Sequence, residues 1–344
     1  MQIIKYPPRE IWASLLTRPV FDNTSLFDTV QKVLDDVRLH GDAAIKKYTL
    51  QFDKVESDII EVTKEEILEA EKQISAHLKQ AIEMARRNIW KFHSEQQHEL
   101  PEIQTSPGVY CWQKAIAIEK VGLYIPGGTA PLFSTVLMLG IPARLAGCGE
   151  IIMCTPPGRD GKINPLILWA AKVAGVNAIY RAGGAQAIAA MAYGIESVPA
   201  VYKIFGPGNR YVTRAKELVQ LEGTAIDMPA GPSELMVIAG HTANPAFVAA
   251  DLLSQAEHGT DSQVIMLTDS REMITRVERE TERQLALLPR KDIAARSLEN
   301  SSLILLESEE RCLETANRYA PEHLIIATAD PKSTAELVTS AGSV

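Results

Sequence analysis

The chain has 344 residues, 46% of them hydrophobic and 23% charged, and its 35 basic and 43 acidic side chains leave a formal net charge of −8. That length fits about two domains, the composition excludes global disorder, and scattered acidic charge argues against nucleic acid as the main partner. Apolar runs stop short of the roughly 20 residues a membrane-spanning helix needs, and the opening MQIIKYPPRE lacks the basic-then-apolar pattern of an export signal.

In chain order, a helix is predicted over SLFDTVQKVLDDVRLHG, with Ser25 as N-cap and Gly41 as its stop. A longer helical run starts at Thr63, which with Glu66 fits a capping box, and extends through His93. The texture then changes. Short apolar strands are predicted at 115–118, 121–125, 150–155, 234–239, 263–268, 302–306 and 323–327, with helices such as STVLMLGIPARLAG and NPLILWAAKVAG between them. Continuous apolar strands alternating with helices predict an α/β fold with parallel sheets covered on both faces, in two sets near 121–233 and 234–344.

Four glycine-rich loops occur within this region: Pro126-Gly127-Gly128, Ala182-Gly183-Gly184, Gly206-Pro207-Gly208-Asn209, and Pro229 to Ser233. Glycine lets backbone N–H groups approach a ligand, and a helix N-terminus favours an anion. Any α/β protein needs some glycine turns, but four together indicate a ligand cleft. The dinucleotide fingerprint GxGxxG is absent, because Tyr211 stands where GPGNRY would need its third glycine. The residues alone therefore point to a phosphate or other polar ligand.

Gln255 and His258, at the end of LLSQAEHG, are three apart and share a helix face. A histidine in a last turn commonly complements the helix dipole, and no HExxH or Cys/His cluster accompanies it. Glu322 and His323 adjoin in YAPEHLII; carboxylate and imidazole suit acid–base chemistry. Neighbours in an extended strand face opposite ways, so both serve one site only if Pro321 holds them in a turn. A polar strand cap reads equally well. Asp227 reads either as a cleft residue or as a turn residue. The four cysteines, Cys111, Cys148, Cys154 and Cys312, form no CxxC pair and read as reduced thiols of a cytoplasmic protein, with Cys154 buried and inert. His40, His77, His93, His98 and His241 are read as surface or satisfied residues without partners.

Taken together, VGLYIPGGTAPLFSTVLMLGIPARLAGC, GGAQAIAAMAYG, KIFGPGNRYVT, AIDMPAGPSE, ADLLSQAEHGTDSQVIMLT and YAPEHLII resemble histidinol dehydrogenase, in that family's order. The resemblance is weak before residue 110 and strong after it. It implies oxidation of L-histidinol through L-histidinaldehyde to L-histidine with two NAD, on two incomplete Rossmann-like domains. The expected organisation is an N-terminal segment 1–25, a first α/β domain from 26–120 with 234–344 bearing catalytic and metal residues, and a second, 121–233, contacting NAD. By the same resemblance Tyr124, Gln186 and Asn209 contact NAD, and Gln255 and His258 ligate Zn2+. Ser233, Gln255, His258 and His323 bind substrate, and Glu322 and His323 form the acid–base pair. The family is homodimeric, and nothing in the chain suggests a nucleic-acid or membrane partner.

Members of the family continue beyond the segment matching TSAGSV at 339–344 by roughly a quarter of this length, against ordinary domain sizes. That tail carries a further Asp ligand, substrate-binding groups and a His ligand given to the partner subunit. The expectation is a truncated form that keeps NAD contacts and lacks a complete zinc site. The other readings are a related zinc/NAD alcohol dehydrogenase of different substrate, a thiol enzyme using Cys148 or Cys154, and a non-catalytic nucleotide-binding fragment.

Overall fold

The computed structural model describes residues 1–18, 24–56, 58–97, 100–127, 131–228 and 234–344. Contacts divide the chain into two units, Met1–Phe21 with Gly231–Val344, and Asp22–Ala230. The first unit opens with strand β1 (Gln2–Lys5) and a short helix α1 (Trp12–Leu15).

The second unit begins with α2 (Thr24–Tyr48), which runs into a π-helical turn, Thr49–Asp53. Gly41 interrupts α2 where a stop was expected, at φ +50°, but helical residues resume to Tyr48. A Cβ at Gly41 would lie 2.0 Å from Glu196 Oε2, and the neighbouring Asp42 N–H donates to that carboxylate at 2.8 Å. The long run from Thr63 is two helices, α3 (Lys64–Lys72) and α4 (Ala76–Ser94), because Ser75 caps a fresh start by accepting from Leu78 N–H. The Thr63–Glu66 capping box is present in both directions.

Strands β2 (Ile103–Ser106) and β3 (Val109–Cys111) then form an antiparallel hairpin whose residues are all exposed. The strand expected at 115–118 does not form. Four alternating residues have no ladder without a partner edge, and Ile116 stays exposed.

From here the chain alternates: β4 (Lys120–Tyr124), α5 (Phe133–Leu145), β5 (Glu150–Thr155), α6 (Pro165–Ala174), β6 (Ala178–Arg181), α7 (Gly184–Tyr193), β7 (Lys203–Phe205), α8 (Arg210–Leu221) and β8 (Ala225–Ile226). The parallel sheet has the order β6-β5-β4-β7-β8. Its strands read as unbroken apolar runs because both faces are covered. Ile151 and Met153 of β5 pack with α5 and α6, while Ile152 and Cys154 pack with α2, α7 and α8. Full burial of one such side chain, Ile188 for example, stabilises by about 1.5–3 kcal/mol.

The expected grouping of 26–120 with 234–344 therefore differs from the observed units. Val30, Leu34 and Val37 of α2 join one core of the 121–230 sheet, and Ala70 and Ile82 of α3 and α4 join the other. Residues 60–62 also pair along β6, with Val62 N–H donating to Ile179 O and Arg181 N–H to Ile60 O, both at 2.8 Å. The helical segment is the cover of that sheet, and its amphipathic faces alone do not specify which sheet they will cover.

The first unit resumes with β9 (Glu234–Ala239), α9 (Pro245–Ala256), β10 (Gln263–Thr268), α10 (Arg271–Leu285), α11 (Lys291–Glu299), β11 (Ser302–Leu305), α12 (Glu309–Tyr319), β12 (His323–Ala327) and α13 (Pro331–Glu336). Its parallel sheet has the order β1-β11-β10-β9-β12. Leu235 and Val237 of β9 face α9, α10 and α11, and Met236 and Ile238 face Trp12 and α12. Among the described residues no helix is long and apolar enough to cross a membrane.

Candidate functional site

In the second unit, β4 is flanked by β5 and β7, and the covering helices change face between those neighbours. Such a switch point opens a crevice at the strand C-terminal ends, where open α/β sheets bind ligands. Tyr124 ends β4, and Gly206 to Asn209 follow β7. Gly206 has φ +133°, and a Cβ there would lie 2.1 Å from the Tyr124 carbonyl oxygen, so only glycine brings the two loops together.

The Tyr124 hydroxyl accepts from Gly184 N–H at 3.0 Å. Burial pushes its phenol up to about 12, with the nearby Asp53 charge adding to the rise and the Gly184 bond opposing it. Gln186 is 1% exposed, yet its Oε1 has no hydrogen-bond partner among the described residues. A buried acceptor without a partner is costly, so this oxygen suits a ligand donor. Asn209 caps α8, its Oδ1 accepting from Tyr211 N–H at 3.0 Å and Val212 N–H at 3.2 Å. Its side-chain amide nitrogen has no partner among the described residues. Two candidates thus offer complementary groups, an acceptor and a donor.

Two further residues fix this loop, and the sequence reading did not single out the first. Lys216, 4% exposed, donates to Gly206 O at 2.8 Å and pairs with Asp227. Asp227 in turn accepts from Gly206 N–H at 2.7 Å, which makes it a loop anchor rather than a free turn residue. A signal for Lys216 did exist. It falls in the apolar stripe Val212, Ala215, Val219 of α8, an odd place for a lysine. A cavity of about 660 Å3 also opens at the ends of β4, β5 and β6, lined among others by Gly127, Pro156, Asp160 and Arg181.

The first unit places its candidates at the opposite, N-terminal ends of its strands. Gln255 lies in the last turn of α9, 8% exposed, with Nε2 lacking a partner among the described residues. His258 follows beyond the helix end, its N–H donating to Gln255 O at 3.1 Å and its side chain exposed. Among the described residues, no group of three or more His, Cys, Asp or Glu could hold a metal ion. Ser233 lies outside the described residues.

Glu322 precedes β12 and His323 begins it. Ala320, at φ 54° and ψ 64°, ends α12 in the left-handed region, and the chain turns through Pro321 before extending. His323 Nε2 lies 3.7 Å from Glu322 Oε1, so imidazole and carboxylate face each other despite being adjacent. The imidazole Nδ1 lies 2.8 Å from Ser343 Oγ.

The thiols behave as apolar groups. Burial pushes Cys154 far up, and raises Cys312 and Cys148 as well, which disfavours the thiolate a nucleophile needs. Two histidines read as lacking partners have them: His40 Nδ1 meets Asp36 at 2.7 Å, and His93 Nδ1 meets Gln96 at 2.8 Å. Side chains three or four apart on a helix are neighbours, and these pairs have that spacing. His98 lies outside the described residues.

Residues 16–344 match the family model described as histidinol dehydrogenase. The histidinol dehydrogenase of Bacteroides thetaiotaomicron is 60% identical over 344 residues, covering all of this chain and 80% of that protein. That of Salmonella typhimurium is 52% identical over 334 residues, covering 96% of this chain and 76% of that protein. The crystal structure of histidinol dehydrogenase from Elizabethkingia anophelis superposes with a TM-score of 0.98 at 52% identity, covering all of this chain and 79% of that one.

Proposed function

The chain belongs to the histidinol dehydrogenase family, NAD-dependent oxidoreductases of histidine biosynthesis, and from that premise we propose how its residues divide the reaction. The reaction is oxidation of L-histidinol to L-histidinaldehyde and then to L-histidine. The second unit holds the cofactor, and the first holds substrate and moves protons.

NAD, when bound, accepts a hydride in each of the two oxidations. The second unit suits it: Gln186 offers a buried acceptor, Asn209 an amide donor without a partner among the described residues, and Gly206 a backbone approach that a Cβ would block. Tyr124 backs this crevice, its hydroxyl occupied by Gly184 N–H.

His323 takes the substrate hydroxyl proton. With Nδ1 against Ser343 Oγ, Nε2 is the nitrogen left to receive it, and the Glu322 carboxylate beside Nε2 stabilises the cation that results. Glu322 then draws a proton from the water that attacks the aldehyde. Holding the aldehyde between the steps keeps a reactive compound from release. The 3.7 Å approach of Glu322 to His323 is the observation that carries this reading.

Gln255 and His258 offer two donors toward zinc, and Ser233 is the further residue assigned to substrate binding. A structural or catalytic zinc site uses three or four protein ligands, so these two do not make one, and no proton step is routed through metal. One tightly bound zinc per chain in a metal titration would show that further donors complete the site.

Active chains pair as homodimers. The β2–β3 hairpin supports this: Ile103, Val109 and Tyr110 are exposed on it, and a lone two-stranded hairpin is marginal in water without cover. Sedimentation as a single chain at micromolar concentration would overturn the dimer. The function itself is tested by NADH formation from L-histidinol by this chain with NAD and zinc supplied. Turnover would give L-histidine with two NADH per cycle and show that these residues suffice; a folded chain that forms none under these conditions would overturn the assignment of a sufficient site to them.

A further inference from the structure

The turn that presents Glu322 and His323 is held by a buried carboxylate that the mechanism does not use. Glu234 heads β9, ahead of an otherwise apolar strand, and is 7% exposed. Its Oε2 accepts from Arg18 Nε at 2.6 Å and from the Tyr319 hydroxyl at 2.8 Å. Its Oε1 accepts from Arg18 Nη2 at 2.5 Å and from Glu322 N–H at 3.3 Å.

Arg18 reaches the same turn independently. Its Nη2 donates to Tyr319 O and Ala320 O, both at 2.9 Å, and the guanidinium lies 4.3 Å from the centre of the Tyr319 ring. The carbonyls it grips flank Ala320, whose left-handed backbone is disfavoured for any residue bearing a Cβ. Such a conformation persists only where surroundings impose it, and it concentrates at functional sites. On the other side, Gly342 N–H donates to Pro321 O and Ser343 N–H to Glu322 O, both at 2.9 Å.

Burying the Glu234 carboxylate beside Arg18 is a poor way to gain stability, because a well-packed apolar residue at the head of β9 would avoid burying a charge. What the network does fix is the direction in which residues 320–323 leave α12. We propose that Arg18 and Glu234 are positioning residues that hold this turn so that the Glu322 carboxylate and the His323 imidazole face each other. Arginine suits the role because one planar fork fills both carboxylate oxygens and still reaches two carbonyls, which an ammonium cannot do. The inference rests on the acid–base reading of Glu322 and His323.

The test compares Glu234→Gln, Arg18→Met and Arg18→Lys with Glu322→Gln and His323→Asn. Each is assayed for kcat at saturating L-histidinol and NAD, NAD affinity, thermal midpoint, and the 15N shifts of the His323 ring. Loosening the turn is expected to lower kcat about ten- to a hundredfold in all three positioning variants, with NAD affinity unchanged and the His323 ring shifts moved. Folded Glu234→Gln and Arg18→Lys with wild-type kcat and superimposable ring shifts would overturn the proposal, even if their thermal midpoints fell. Should the unaltered chain form no NADH, the ring shifts decide alone. Wild-type kcat in Glu322→Gln and His323→Asn would instead overturn the acid–base reading itself.

Discussion

The two sheets share a core order and use opposite ends of it. In the second unit, the strands taken in sequence lie in the order third, second, first, fourth, with β8 added beside the fourth. In the first unit, β9 to β12 lie in that same order, with β1 added beside the third. Both have a switch point beside their first strand. In the second unit the candidate cofactor groups stand at strand C-terminal ends, where glycines let backbones approach. In the first unit the proposed acid–base pair stands at the N-terminal end of β12, where a left-handed alanine turns the chain. Each candidate loop is held by a carboxylate–cation pair, Asp227 with Lys216 and Glu234 with Arg18. A shared strand order thus supplies a place to anchor a loop at either end of the sheet.

The comparison can be broken at several points. The largest effect is expected in the first unit: His323→Asn should lower kcat about 10²- to 10⁴-fold while NAD affinity stays unchanged. An NAD affinity that fell with kcat would mean the division of labour is wrong. Next, Gly206→Ala places a Cβ 2.1 Å from the Tyr124 carbonyl in a conformation that disfavours it. It should cost about 1–3 kcal/mol of stability from the backbone alone and remove NAD binding, read by denaturant unfolding and calorimetry. Lys216→Met should weaken NAD about tenfold yet retain turnover at saturating NAD. Equal loss of histidinol and NAD affinity would show general unfolding instead.

The smallest effect concerns the second unit's cover. Burial alone would raise the Glu66 carboxyl, but the Arg181 hydrogen bond and Thr63 N–H outweigh it and hold the group below its usual range. A depressed folded value means the stabilisation is present above the unfolded pKa of about 4.3 and is lost as pH falls through the folded one. Glu66→Gln should therefore lower the thermal midpoint near neutrality and converge with the unaltered chain in acid. A constant offset at every pH would rule out this linkage.

Most strands of the two sheets were legible because a strand buried on both faces must be apolar throughout, as EIIMCT, ELMVIA and QVIMLT are. β6, β7 and β8 were not, being four, three and two residues long, and β1 at the sheet edge alternates too briefly to register. The capping box at Thr63 was readable because it is a local hydrogen-bond exchange, whereas the break at Ser75 hides within a continuous helical period. Around the candidate site, motif segments marked Tyr124, Gln186, Asn209, Glu322 and His323. Adjacency in sequence could not tell whether Glu322 and His323 face each other, since that depends on the Ala320 backbone and on residues 342–343. Arg18 was invisible for a different reason: its partner lies 216 positions away.

That separation has a kinetic side, through β1. Gln2 pairs with Ser302 and Lys5 with Leu305, so the edge strand of the first sheet waits for a partner made near the far end of the chain. At about 5–20 residues per second, a ribosome needs roughly 15–60 s to reach it. In that interval the contiguous segment Asp22–Ala230 emerges whole and can close its own sheet. During synthesis β1 therefore stays without its sheet partner until β11 appears.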